Sequence, residues 1–383
     1  FDSLGRMATS NDSLINRTFT YADDTNRLKQ MSAASAPSGL PAQSLEFSYD
    51  GSDVTRTIWQ GAANGTFDYT YDALSNVTAI DFSIPGNGFT SHTALIWDKE
   101  DRITNYGSQV FHYNGPGGML SSVEDNGSTT AYAYDEYGRL TERRLTVSGQ
   151  LQYEVKLQYD ATGKVKQKTE TTAQGAATYL YDYDVNGQLT EVRLGNTVTA
   201  SYSYDANGNR LSHAENGAAE EWAAYDQQDR LTSRAGIDYV YNEDGFMTRR
   251  GDDTFTYSAR GTLERADVGG EAITYAYDAL GRRVARTDAS GTTQYLYGIP
   301  EAVMTITASV DPTGVVTEYF YDRAGMLTGM KRNGELYPIA VDNVGTPKVI
   351  TDSSGQVVKE LSYDSFGVQL SGSNPAFELI FGY

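Results

Sequence analysis

The residues best suited to chemistry are few, and their spacing supports little of it. Asp182-Tyr183-Asp184-Val185-Asn186-Gly187 matches the first half of a calcium loop, D-x-D-x-N-G. Its twelfth position is Arg193 where a bidentate glutamate belongs, and an arginine there repels the ion. His92, His112 and His213 fall in separate stretches, and with no Cys in the chain no ligand spacing emerges. Neither a G-x-S-x-G elbow nor a G-x-x-x-x-G-K-[ST] phosphate loop occurs. The 50 Asp and Glu residues make chance carboxylate pairs easy to find. A glycoside-hydrolysing pair also needs a cleft and a raised pKa, whereas these acids recur at turn positions. The sequence therefore assigns no catalytic, cofactor or metal residue and points away from an enzyme. Five Asn-x-Ser/Thr sequons begin at Asn11, Asn16, Asn64, Asn76 and Asn126, residue types common at turns in any case.

The elements behind these acids are more informative. Tyr202-Ser203-Tyr204-Asp205-Ala206-Asn207-Gly208-Asn209-Arg210-Leu211 reads as strand, tight turn and return strand. Tyr202 and Tyr204 share one strand face. Asp205 suits the first position of a type I turn, and Gly208 the left-handed position that closes it with a bulge. The pattern recurs at Tyr134/Asp135/Gly138, Tyr183/Asp184/Gly187, Tyr277/Asp278/Gly281, Tyr321/Asp322/Gly325 and Tyr363/Asp364/Gly367, and at Tyr159/Asp160/Gly163. With weaker copies the spacing is about 21 residues, within the range of repeat architectures. Ser75, Asp101, Asp229 and Thr25 replace the turn glycine in some copies. Aspartate tolerates positive φ well, so the serine and threonine turns are expected to differ in type. An aromatic or aliphatic residue precedes the key aromatic by two, as in Phe47/Tyr49 and Leu157/Tyr159, which is a strand period.

One hairpin is marginal in water, but stacked repeats share a continuous core. The 29 Tyr and 13 Phe make that core one of aromatic ladders, with hydroxyls needing partners or water. The net charge of −20 argues against nucleic-acid or anionic-membrane partners. No apolar run reaches the ~18 residues of a membrane helix. The segments 30–43 and 85–91 read as surface loops, and Glu301–Thr307 as a longer alternating strand. The chain starts at Phe1 in mid-repeat, as a piece of a longer polypeptide would.

Asp342-Asn343-Val344-Gly345-Thr346-Pro347, followed by Thr351-Asp352, Gly355 and Tyr363-Asp364-Ser365-Phe366-Gly367, completes the pattern. Together with the repeats, this chain resembles the YD-repeat (RHS) family of Rhs polymorphic toxins, Tc toxin C-components and teneurin shells. Asn343 stands where that family usually has His. The resemblance implies an all-β fold, antiparallel hairpins wound as a continuous spiralling ribbon into a cocoon-like shell. It implies a repeat array over 1–337 and the truncated start of a core-like segment over 338–383. It also implies a structural role: enclosing a C-terminal toxin or other cargo of the parent polypeptide, secreted or displayed on a bacterial surface, with delivery machinery or a glycan as further partners. The family's autoproteolytic segment has no match here. Two other readings compete. One is an extracellular adhesion module binding carbohydrate or protein. The other is a propeller, since two units make about 42 residues, near the length of a blade.

Overall fold

The computed structural model describes residues 1–11, 15–22, 25–35 and 39–383. Among them are 35 β-strands and a single 3-10 turn at Pro116–Gly118. Pairing is antiparallel, between strands adjacent in sequence, as in Gln43–Asp50 with Asp53–Gln60 and Leu140–Val147 with Gln150–Tyr159. The fold class is therefore all-β, a ribbon of hairpin repeats. Burial alternates with the two-residue strand period. In Gly65–Tyr71, Gly65, Phe67 and Tyr69 are buried, Thr66 and Asp68 are only partly so, and Thr70 is exposed.

The register steps by one residue at each signature aromatic, between Ala133 and Tyr134, Asp182 and Tyr183, Ser203 and Tyr204, and Ala276 and Tyr277. Tyr134 then faces Leu140, and Tyr204 faces Arg210. A bulge of this kind bends the strand and increases its twist.

The chain divides into two compact units, each made of two separate stretches. The first combines 1–107 with 239–319. Its core holds Ile15, Met31, Leu45, Trp59, Phe67, Phe82 and Leu296. The Phe67 and Phe82 rings stack at 4.5 Å. Gly298 lies so close to Phe67 that a Cβ would sit 2.1 Å from the ring, so only glycine fits. The two stretches are stitched by polar bonds of long sequence separation, Asn64 N–H to Gln294 Oε1 at 2.9 Å and Ser91 Oγ to Glu318 Oε1 at 2.6 Å.

The second unit combines 108–238 with 320–383. Here Leu145, Val147, Tyr153, Val155 and Leu157 pack against Ala340 and Val349. Full burial of side chains this size contributes about 1.5–3 kcal/mol each. Gln109 Nε2 donates to Thr328 Oγ1 at 2.8 Å, and Gln174 Nε2 to Glu360 Oε2 at 3.2 Å. Within each unit the ribbon thus lies against itself far along the chain, for example 227 and 230 residues further on in the first and 184 and 219 in the second.

Three local expectations are corrected. Glu301–Thr307 is not a strand; Ala302 N–H bonds Ile299 O and Thr305 N–H bonds Ala302 O in successive turns. Pro300 has no N–H for a ladder, and the alternation of apolar side chains there leaves Val303 and Met304 exposed. Within 30–43, strand Leu28–Ser35 continues well into the expected loop and the next strand starts at Gln43; residues 36–38 lie outside the described residues. The loop at 85–91 is shorter than expected, because strand Phe89–Trp97 begins inside it.

Candidate functional site

The repeat turn is the smallest functional part. Asp135 Oδ1 accepts from the N–H groups of Tyr137 and Arg139, each at 2.9 Å, and Gly138 N–H closes on Asp135 O at 3.0 Å. Gly138 sits at φ 77°. The same two amide bonds to one carboxylate oxygen form at Asp184, Asp205, Asp278, Asp322 and Asp364. Gly187, Gly208, Gly281, Gly325 and Gly367 all have positive φ. Ser75, at φ 65°, takes the same conformation, so its turn does not differ in type as expected. Its N–H still bonds Asp72 O at 3.2 Å, which holds the serine in place.

The second carboxylate oxygen and the tyrosine couple one repeat to the next. Asp135 Oδ2 accepts from Arg139 Nε at 2.7 Å, and that guanidinium lies 4.4 Å from the centre of the Tyr159 ring. The Tyr159 hydroxyl donates back to Leu140 O at 2.7 Å. Tyr183, Tyr204 and Tyr277 donate in the same way to Val165, Leu189 and Leu263. Each of these hydroxyls thus satisfies a carbonyl of the preceding return strand, a role that the two-residue spacing alone does not reveal. The residue after the glycine is Arg in several units, and at Arg6, Arg139 and Arg282 the guanidinium reaches both the turn carboxylate and the next tyrosine ring. Of those two partners Lys164 meets only the ring, that of Tyr183 at 5.8 Å. Loss of solvent would raise the Asp135 carboxyl, but the Arg139 amide and guanidinium outweigh it and hold it low. The Asn209 side chain is foremost in doing the same for Asp205.

Two of the buried turns carry ion pairs and are more consequential. In the first unit the Asp278 carboxylate, wholly buried, pairs with Arg282 at 2.6 Å, and the guanidinium lies 4.8 Å from both the Trp59 and the Tyr297 ring. In the second, Asp322 Oδ2 accepts from the Tyr132 hydroxyl at 2.9 Å and lies 3.6 Å from Arg143, which is itself buried and donates to Leu327 O. Buried pairs of this kind are expensive to break, because the surviving charge is left unpaired.

The calcium-like stretch is an ordinary repeat turn, and Arg193 pairs with Asp182 at 2.6 Å. Of the three histidines, His92 is exposed on Asp81, His112 is 3.4 Å from Glu124, and His213 is buried. Among the sequons, Asp12 and Ser13 lie outside the described residues.

The second unit also contains an aromatic-lined cavity of about 450 Å³. Tyr179, Tyr181, Tyr183 and Tyr202 form one side, and Asp342, Asn343, Tyr363 and Asp364 line it from the distant stretch. The G-T-P segment singled out in the sequence is thereby set against the tyrosines of the regular repeats. Asp342 holds its own turn through Val344 and Thr346, both at 3.0 Å. Within the lining, Glu170 lies 3.3 Å from both Lys168 and Lys348 and accepts from the Tyr153 hydroxyl at 2.7 Å. Burial pushes the Glu170 carboxyl up, but the two lysines outweigh it and keep it low. Burial pushes Tyr202 up to about 12 and raises Tyr179 and Tyr181 as well, so these phenols stay neutral donors at physiological pH. The arrangement can hold a small polar ligand between aromatic faces.

A family model described as the teneurin YD-shell matches residues 1–383. The chain is 31% identical over 377 residues to Teneurin-3 of Danio rerio, covering 95% of this chain and 14% of that protein. It is 32% identical over 343 residues to Teneurin-1 of Mus musculus, covering 87% of this chain and 12% of that protein. Teneurin-m of Drosophila melanogaster is 26% identical over 405 residues, covering 98% of this chain and 14% of its own length. The chain therefore spans only a small part of these relatives. Among solved structures, a crystal structure of TcdB2-TccC3-Cdc42 superposes with a TM-score of 0.58 at 14% identity, covering 94% of this chain and 20% of that one. At that identity the likeness is one of fold. With the family model matching from first residue to last, on a ribbon of Asp-turn and Tyr-capped hairpins, this chain belongs to the teneurin YD-shell family.

Proposed function

We propose that this chain is a wall segment of a YD-repeat shell in a larger polypeptide, secreted or displayed at a cell surface, and that its work is to enclose another part of that polypeptide, such as a C-terminal toxin-like cargo. The role is structural rather than catalytic. The observation that supports it best is the ribbon lying on itself within each unit, through Ser91 to Glu318 in one and Gln109 to Thr328 in the other. A ribbon in which successive windings bond to one another makes a continuous barrier, and paired strands leave fewer open edges. Repeat array 1–337 and core-like segment 338–383 are then parts of the same wall. Electron cryomicroscopy of the intact parent polypeptide tests this reading. A lumen bounded by hairpin layers is expected, and a solid particle would contradict it.

A second reading, an adhesion module for carbohydrate, draws on the tyrosine-lined cavity. Sugar rings stack on aromatic faces while hydroxyls and acids bond their edges. A glycan array probed with the chain and with Tyr181→Ala tests it. Hits that vanish in the variant favour the reading, and an array without hits removes it.

A further inference from the structure

Among the described residues, one set of three metal-capable side chains converges: His213, Glu215 and Asp364, with ligand atoms all within 4.8 Å of one another. His213 and Glu215 are two apart on strand Arg210–Glu215 and so share a face. Asp364 comes from the distant stretch of the same unit, so folding assembles the set. His213 is 7% exposed, and its Nε2 is buried without a hydrogen-bond partner among the described residues. That nitrogen lies 3.7 Å from Glu215 Oε2, too far for a hydrogen bond. The ring's other polar contacts are at Nδ1, with Arg234 at 3.5 Å and Glu221 at 4.0 Å. Tyr202 stacks on the imidazole at 5.2 Å and an interplanar angle of 5°, which fixes its orientation. The turn at Asp364 uses only Oδ1, for Phe366 and Val368 N–H, and does not require the second oxygen. Neither Glu215 nor Asp364 is paired with a lysine or arginine among the described residues.

We propose that His213 Nε2, Glu215 and Asp364 form a site for a divalent transition-metal cation of the zinc or manganese class, reached from the aromatic-lined cavity. An imidazole with two carboxylates suits such an ion, whereas calcium takes oxygen ligands. Atoms bonded to one zinc at about 2.0–2.2 Å lie about 3.3 Å apart in a tetrahedron, so the His213–Glu215 bite of 3.7 Å needs to close by about 0.4 Å, and a pair at the outer limit of 4.8 Å by about 1.5 Å. Arg210 over the Phe366 ring at 4.0 Å and Arg234 on Glu221 at 3.1 Å flank the site and moderate its negative field. With Nε2 as the ligand, the neutral imidazole carries its one proton on Nδ1, on the side of Glu221 at 4.0 Å. A bound ion would join strand Arg210–Glu215 to the turn at Asp364 and stabilise the unit by mass action.

Calorimetric titration of the chain with zinc, manganese and calcium salts tests the site. One zinc or manganese ion per chain is expected, with weaker or absent calcium binding. His213→Ala should lower zinc affinity at least tenfold. Asp364→Asn should do likewise, and it keeps the Oδ1 acceptor that holds the turn, so loss of binding there cannot be laid to unfolding. His92→Ala serves as the unchanged control. With three histidines in the chain, zinc should shift only the His213 ring resonances. No saturable binding, binding that survives both variants, or shifts at His92 or His112 instead would overturn the proposal.

Discussion

At the scale of single residues, the signature is a set of hydrogen bonds. The tyrosine hydroxyl contributes through one bond to a backbone carbonyl, as Tyr204 does to Leu189 at 2.8 Å. Tyr204→Phe keeps the ring and removes that bond. It should cost about 0.5–1.5 kcal/mol in denaturant unfolding, and the same change at exposed Tyr137 should cost nothing measurable. Gly281 isolates the backbone effect, since a Cβ there meets nothing within 4 Å but φ is 82°. Gly281→Ala should destabilise by about 1–2 kcal/mol through left-handed strain alone, measured the same way. The turn residues were readable in the sequence because the bonds that use them span only two to four positions. The destination of each hydroxyl was not, because it lies one whole repeat upstream.

At the scale of the element, turns differ by where the ribbon carries them. Asp205 and Asp322 occupy the same repeat position, yet Asp322 is buried against Arg143 and Tyr132. Asp322→Ala strands a buried guanidinium and should cost about 3–5 kcal/mol, several times the effect of Asp205→Ala, as judged by the shift in unfolding midpoint. The sequence shows both as Tyr-Asp-x-x-Gly and has no local sign of the difference. The same holds for the candidate site. The two-residue spacing of His213 and Glu215 is visible, but Asp364 joins them only through the packing of distant stretches. The misread strand at 301–307 has a related cause. Its alternation is real, but Pro300 withholds a ladder donor and Gly298 is committed to the Phe67 ring.

At the scale of the molecule, so many buried phenols make the chain sensitive to alkali. Burial raises Tyr71, Tyr202, Tyr277 and Tyr297 to about 12. A raised folded pKa means the folded state keeps its proton where the unfolded state, with its pKa near 10, has lost it. The phenols therefore leave stability level between about pH 5 and pH 10 and make it fall as pH rises from there toward 12. A phenolate absorbance titration should show these tyrosines ionising together with loss of strand signal rather than independently. The hairpin fold and its repeat unit were legible from period and turn chemistry. The distance at which the ribbon meets itself was not, because it depends on small bends summed over many bulges. The absence of cysteine makes that distance directly measurable. Two double variants, Ser91→Cys with Glu318→Cys and Gln174→Cys with Glu360→Cys, place thiols at contacts 227 and 186 residues apart. Rapid intramolecular cross-linking of both pairs in the folded chain is predicted, and cross-linking no faster than between mixed single variants Ser91→Cys and Gln174→Cys on separate chains would contradict a ribbon that lies back on itself.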